Sequence, residues 1–130
     1  MKTSNILAIA TISFAASLPA ISQESEKAME IYRLAFKAVV KCGSDYARKS
    51  ARINATPTEI ADAARSVCAD EYSEAEITLQ NWSRTRLIER GARREDSLIN
   101  AGAAEVADMA IQFRRFVVSE VIDERTETAK

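Results

Sequence analysis

Five arginines that stand close together are the residues of this 130-residue sequence whose type and spacing most readily indicate chemistry. They are Arg84, Arg86, Arg90, Arg93 and Arg94. The planar, permanently charged guanidinium group binds phosphate and carboxylate oxygens. The cluster therefore predicts a site for an anionic ligand such as phosphate, a lipid headgroup, a glycan or an acidic partner. Trp82 stands beside the cluster and could stack at such a site.

A structural role for the same arginines is an open alternative. Glu89, Glu95 and Asp96 are near in sequence and could neutralise them. Arginines in the last turn of a helix also interact favourably with the helix macrodipole. The sequence does not decide between an anion site and pairing within the fold.

Cys42 and Cys68 are the only cysteines, and their chemistry depends on the compartment. The N-terminus has the form of a secretory signal peptide: Lys2 is followed by an uncharged, mostly apolar run over residues 6–16 and then by Pro19. Small residues at positions 20 and 22 predict cleavage before Gln23. An uncleaved membrane anchor is the weaker interpretation, because a span needs roughly 20 apolar residues and charges begin at Glu24. No transmembrane segment is therefore expected in the mature chain.

Export favours a disulfide between these cysteines over two buried free thiols, because oxidising compartments convert an even pair into a bridge. The leader resembles bacterial ones, so we expect a periplasmic or secreted protein. Residues 1–22 are predicted to be the cleaved signal peptide, and residues 23–130 are predicted to form one domain.

Most catalytic chemistry lacks its usual residues. The sequence has no histidine, the commonest general base and metal ligand, and no Gly-rich phosphate loop. Bridged cysteines leave no thiol nucleophile, and without histidine they make a poor zinc site. Carboxylates at helical spacing are interpreted as solvated helix faces rather than acid/base or calcium sites; they are Glu71, Glu74 and Glu76, and Glu120, Asp123 and Glu124. We expect a protein that is not an enzyme, with no cofactor and no metal.

Nucleic acid is not an expected partner. The predicted mature chain has more acidic than basic residues, and no recognition motif is present. An exported protein also has little access to nucleic acid.

The elements that position these residues are predicted to be helices. Apolar residues recur at steps of three and four over residues 25–52, 57–90 and 96–124, which is the period of an amphipathic helix. No segment alternates with period two, so no strand is expected. The fold class is therefore all-α. The polar tail that follows residue 124 is predicted to fray.

The stretch 52–60, "RINATPTEI", joins the first two predicted helices. Asn54-Ala55-Thr56 has the form of a glycosylation acceptor, but Pro57 directly after Thr56 disfavours modification, as does the bacterial origin that the leader predicts. Thr56, Pro57 and Glu59 have the form of a helix start with a capping box. The midpoint of positions 42 and 68 is 55, so a bend here places the cysteines opposite each other. These signals together predict an antiparallel helical hairpin stapled by a disulfide, with the third long helix packed on it as a three-helix bundle.

The third helix has a broader apolar surface than packing on one hairpin requires. Candidate positions for a partner face are Met109, Phe116, Val118 and Ile122. Such a helix is either central in the monomer or pairs with a second chain. The sequence therefore predicts a small exported protein-interaction or structural module of the envelope or periplasm, with an unknown protein partner or a second copy bound. Binding of an anionic envelope surface through residues 84–94 is the alternative function.

Overall fold

The computed structural model describes residues 23–130, which form five α-helices and no β-strand. The helices are α1 Gln23–Ser50, α2 Pro57–Val67, α3 Ala69–Glu89, α4 Glu95–Ile99 and α5 Ala103–Thr128. The predicted all-α class is confirmed. The predicted signal peptide, residues 1–22, lies outside the described residues.

The predicted hairpin and its disulfide are confirmed. Cys42 on α1 is bonded to Cys68 with a Cα–Cα distance of 5.9 Å, and α1 packs extensively on α3. The backbone N–H of Ser25, at the start of α1, donates to Glu89 at the end of α3 over 3.1 Å. The two helices are therefore antiparallel along their whole length.

The bend between α1 and α2 has the predicted capping box. The hydroxyl of Thr56 accepts a hydrogen bond from the Glu59 backbone N–H at 3.2 Å, and the Glu59 carboxylate accepts from the Thr56 N–H at 2.7 Å. Pro57 follows as the first helical residue, where its missing N–H costs no hydrogen bond. Asn54, the candidate acceptor asparagine, lies exposed in this bend.

The prediction of one continuous helix over residues 57–90 is wrong at Cys68. There the backbone leaves helical geometry, with φ −95° and ψ 28°. The hydrogen bonds from Cys68 N–H to Ala64 and from Tyr72 N–H to Cys68, both 2.9 Å long, continue across the break. The break separates two segments with different partners, because α2 packs mainly on α5, whereas α3 packs mainly on α1. A deviation at one residue leaves the apolar period intact, so periodicity did not reveal it.

The prediction of one helix over residues 96–124 is also wrong at its start. A turn at residues 100–102 separates α4 from α5, and Gly102 adopts φ +83°. A Cβ atom at this glycine would lie 3.0 Å from the Cα of Gln80 on α3. Gly102 therefore permits both the left-handed turn and a close backbone approach. The C-terminal end of α5 is Thr128, four residues beyond the predicted end; fraying of the tail stays a prediction.

Helix α5 runs parallel to α1 and lies closest to it at Gly43. A Cβ atom there would lie 2.7 Å from a ring carbon of Phe113, so glycine lets the two helices touch. Fully buried side chains fill the space between α1, α2, α3 and α5. The largest of them are Phe113, Val39, Val117 and Val121. This core holds α5 against the hairpin along one side and leaves the other side of the α1–α5 contact open.

Candidate interaction groove

An open groove follows the seam between α1 and α5. It consists of two segments of about 650 Å³ and 640 Å³ that meet at Phe36, which lines both. Tyr32 and Asp108 line one segment, and Ser44 and Glu120 line the other. This surface is named the α1–α5 groove below.

Apolar side chains form the floor of the α1–α5 groove. The large ones are Met29, Tyr32, Phe36, Val40, Trp82 and Phe116. Four of them recur along α1 at steps of three and four, which places them on one side of that helix. The rings of Tyr32 and Phe36 pack with centroids 5.8 Å apart. They form an aromatic surface at the middle of the groove.

The two banks of the groove carry opposite charge. The lining cations Lys37, Lys41 and Arg48 all belong to α1, and they form the α1 bank. The α5 bank is formed by lining carboxylates, namely Glu105, Asp108 and Glu120. One lining carboxylate, Asp45, is an exception, because it belongs to α1.

Some of these charges are already neutralised within the fold. Lys41 and Asp45 pair at 2.6 Å across one turn of α1, and this contact lowers the pKa of the Asp45 carboxyl. Glu120 accepts from the Ser44 hydroxyl at 2.6 Å and lies 3.8 Å from Arg48.

Lys37 and Asp108 differ from these paired charges. Both are exposed, and neither forms an ion pair with any described side chain. Burial, and next to it the negative charge of Asp108, raise the pKa of the Tyr32 hydroxyl. Tyr32 and Asp108 line the same groove segment, so this carboxylate lies beside the aromatic floor.

The structure does not bring the four predicted partner-face residues onto one surface. Met109 lies at the bottom of the groove but is only 3% exposed and belongs to the core. Phe116 is half-buried and lines the groove. Val118 and Ile122 are on a different side of α5 from Phe116, because they follow it by two and six positions, which are rotations of about 200° and 240° around the helix axis. Of the four, only Phe116 and the buried Met109 line the groove, and they line different segments of it.

The arginine cluster is divided between the two predicted roles. Arg86 serves the fold: its guanidinium pairs with Glu105 at 3.0 Å and stacks 4.3 Å from the centre of the Trp82 ring. Arg84 is exposed and donates to the carbonyl of Leu98 at 3.4 Å. Arg90, Arg93 and Arg94 are exposed, and no described carboxylate forms an ion pair with them.

Sequence reasoning missed the half of the groove that α1 contributes. Met29, Phe36 and Val40 widen the apolar stripe of the first helix, but no partner face was predicted there. The same excess width on the third helix led to a partner-face prediction. The same argument from stripe width, applied to α1, would have predicted a partner face that includes Phe36.

Comparison with known proteins gave no matching family model, no matching curated sequence and no matching solved structure. Within residues 23–130, no helix combines the length and apolar content that crossing a bilayer requires. Among the described side chains, no group of three or more His, Cys, Asp or Glu is arranged to hold a metal ion.

Proposed function

We propose that this chain is an exported, non-enzymatic interaction module that binds a helix of another polypeptide in the α1–α5 groove. The observation that supports the proposal best is the continuous apolar floor around Phe36, which is open to solvent between two helices. Such a groove is the usual receptor for the apolar face of an amphipathic helix. Aromatic side chains also supply much of the binding energy at protein interfaces.

Export is part of the proposal and is supported by two observations. The N-terminal sequence has the charge and apolar pattern of a secretory leader. Disulfides such as Cys42–Cys68 persist in oxidising compartments and are rare in the cytosol. Both observations support a periplasmic or secreted location.

The proposal is tested by photo-crosslinking in the compartment where the protein resides. A photoreactive side chain replaces Gln112, which is exposed on the groove. The matched control replaces Leu34, which is 58% exposed on α1 and lies away from the groove. We expect a crosslinked polypeptide from position 112 and none from position 34. Equal adducts at both positions, or none at position 112, would contradict the proposal.

A second candidate function, binding of an anionic lipid surface, is favoured by a separate observation. Arg90, Arg93 and Arg94 lie exposed at the end of the bundle where α3 turns towards α4. Ile88 and Ile99, on the two flanking helices, are 46% and 67% exposed. Cations with exposed apolar neighbours are typical of surfaces that bind anionic headgroups and insert shallowly.

The second candidate predicts co-sedimentation with phosphatidylglycerol vesicles but not with phosphatidylcholine vesicles. Binding should fall as salt rises, because screening weakens exposed charge interactions. Replacement of Arg90, Arg93 and Arg94 by alanine should abolish it. The matched control replaces Arg33, Lys37 and Lys41 on α1, which leaves the net charge equal to that of the first variant and should leave binding intact. Loss of binding in both variants would mean that net charge alone is responsible.

A further inference from the structure

We infer that the loop between α3 and α4 is a processing site, at which an arginine-specific endoproteinase cuts the chain on one side or the other of Arg94. Hydrolysis adds one water across the peptide bond and leaves a carboxylate on the arginine and an ammonium group on the residue that follows. The inference goes beyond the proposed function and does not depend on what binds in the α1–α5 groove.

The backbone of this loop is free to enter the cleft of a protease. Residues 92–94 belong to no helix, and both Arg93 and Arg94 are exposed. In the described chain, neither arginine donates a hydrogen bond from its N–H to another backbone group. An added extended segment is held through its main-chain hydrogen bonds, and exposed loops without such bonds are the preferred sites of proteolytic cleavage.

The side chains of the loop fit the specificity pocket of a trypsin-like enzyme. That pocket holds a carboxylate, which pairs with the guanidinium or ammonium group of the substrate residue before the cleaved bond. Arg93 and Arg94 form no ion pair with any described carboxylate. Either guanidinium can therefore enter the pocket without first breaking a contact within the fold.

Helix α4, which follows the loop, is attached weakly enough to unfold by itself. It has five residues, whereas an isolated helix needs roughly 12 to be even marginally stable. Among the described helices it packs only on α3, and its Ile99 is 67% exposed. Segments with few buried contacts open locally at little cost. Opening of α4 gives the protease an extended segment on the C-terminal side of the cut.

The bend between α1 and α2 also carries an exposed arginine, but its backbone is held in place. The bond after Arg52 belongs to a turn in which the N–H of Ile53 donates to the Ser50 carbonyl at 3.0 Å. The guanidinium of Arg125 binds three carbonyls of the same bend. The two loops therefore differ in backbone hydrogen bonding rather than in exposure, and cleavage is expected at only one of them.

A cut beside Arg94 divides the protein into two parts that no covalent bond joins. Cys42 and Cys68 both precede the cut, so their bridge stays within the N-terminal part. The C-terminal part contains α5, whose Phe113 and Val117 are buried in the core. Packing alone then holds α5 on the hairpin. The processed protein is a two-chain complex from which α5 can separate.

Limited digestion of the folded, oxidised protein with trypsin tests where the chain is open. We expect the first cut beside Arg94, which gives two fragments that separate on a denaturing gel without reduction. A cut after Arg52 gives fragments that the Cys42–Cys68 bridge still joins, and these separate only after reduction. Mass spectrometry identifies the cleaved bond. A first cut in the bend, or in any helix other than α4, would overturn the inference.

The variant that carries Arg93→Gln and Arg94→Gln tests the recognition of the two side chains. Cleavage at these bonds should slow by at least about a hundredfold, because a pocket built to pair with a charged group rejects a side chain that lacks it. The matched control carries Arg33→Gln and Arg115→Gln at exposed helical positions, loses the same charge and should be cut at the wild-type rate. Cleavage of the loop variant at the wild-type rate would contradict the assignment.

Arg125→Ala tests the reason why the bend resists cleavage. Loss of the three carbonyl contacts should allow a cut after Arg52, seen as fragments that separate only after reduction. Arg115→Ala, which removes an exposed arginine from the same helix, should not produce this cut. A bend that stays uncut in Arg125→Ala would remove the hydrogen-bonding argument on which the inference rests.

Processing itself is tested on protein recovered from the compartment where it resides. Mass spectrometry without reduction should find a C-terminal chain that begins at Arg94 or Glu95 and ends at Lys130. The variant with Arg93→Gln and Arg94→Gln should be recovered uncut. Wild-type protein recovered only as one uncut chain would overturn the inference even if trypsin cuts the loop. Crosslinking at position 112 would be unaffected by that outcome, so the groove function is judged separately.

Discussion

At the scale of single residues, Arg125 has the most consequential contacts outside the core. Its side chain extends from α5 to the bend after α1. There its Nε donates to the Ala51 carbonyl at 2.7 Å, and its Nη2 donates to the carbonyls of Ile53 and Ala55 at 3.0 Å and 2.6 Å. The end of α5 is thereby attached to the turn that sets the hairpin. From the sequence, Arg125 was expected to belong to a polar tail. No local pattern reveals a hydrogen-bond partner about 70 positions away.

Arg125→Ala should lower the free energy of unfolding by about 2 kcal/mol, because hydrogen bonds from a charged donor contribute about 1.5–3 kcal/mol and this group is partly exposed. Arg125→Lys should retain only part of this stability, because an ammonium group lacks the planar fork of donors with which the guanidinium reaches all three carbonyls. Urea denaturation measures both. Arg115→Ala, an exposed arginine of the same helix, is the control and should change stability by less than about 0.5 kcal/mol. Equal effects at positions 125 and 115 would contradict the role of the bend contacts.

Glu59 gives the capping box a pH dependence. Hydrogen bonds from the Thr56 backbone N–H and then from its hydroxyl lower the pKa of this carboxyl below its usual value of 4.5. A carboxyl whose pKa is lower in the folded state stabilises the fold above its unfolded pKa. This stabilisation is lost as the pH falls through the folded pKa.

Glu59→Gln should therefore be less stable than the wild type at pH 7, and the difference should shrink as the pH is lowered below about 4. Urea midpoints at pH 7 and pH 3 measure it. Thr56→Ala should cost about 1 kcal/mol at pH 7, because it removes the N-cap acceptor. Thr58→Ala, at the exposed neighbouring threonine, is the control for local sequence effects. A Glu59→Gln difference of equal size at both pH values would contradict the account.

At the scale of elements, two glycines test how turn geometry and packing combine. Gly91 and Gly102 both have positive φ, 88° and 83°. An added Cβ at Gly91 would meet nothing within 4 Å, whereas at Gly102 it would meet the backbone of Gln80 at 3.0 Å. The two positions therefore share backbone strain and differ in the space around them.

Gly91→Ala should cost about 1–2 kcal/mol, the ordinary penalty for a side chain in left-handed geometry. Gly102→Ala should cost about 1–3 kcal/mol more, because overpacking against α3 adds to the same strain. Thermal unfolding of the two variants gives the difference directly. Equal losses would show that the close approach of Gly102 to α3 contributes nothing.

The same elements show what the sequence determined and what it did not. Helix existence followed from long apolar periods, and the bend followed from the capping chemistry of Thr56 and Glu59, because both signals are local. The break at Cys68 depends on α2 and α3 packing on different partners, so no local signal marks it. Gly102 did indicate a break inside the helix predicted over residues 96–124, because an interior glycine destabilises a helix by about 1 kcal/mol relative to alanine. Only the α5 side of the groove was anticipated, through Phe116. A broad apolar stripe alone does not show which side of a helix stays uncovered.

At the scale of the whole molecule, the disulfide and helix packing define the register of the hairpin together. A bridge that closes a loop of 26 positions contributes about 3.5 kcal/mol in the chain-entropy model. Arg114 on α5 also pairs with Asp62 on α2 at 2.8 Å. The position of α2 is thus fixed from two sides and does not depend on the length of the bend alone.

Two insertions of equal length should therefore have different outcomes. Two residues added after Asn54 lie in an exposed bend, where extra length costs little; the bridge should still form, although contacts of Arg125 are lost. Two residues added after Ala63 rotate the rest of α2 by about 200°. The packing of α2 on α5 holds the residues before the insertion in place, so Cys68 then turns away from Cys42. Thiol titration of the exported protein should find no free cysteine in the first variant and two in the second. Intact bridges in both would mean that helix packing does not hold the register of α2.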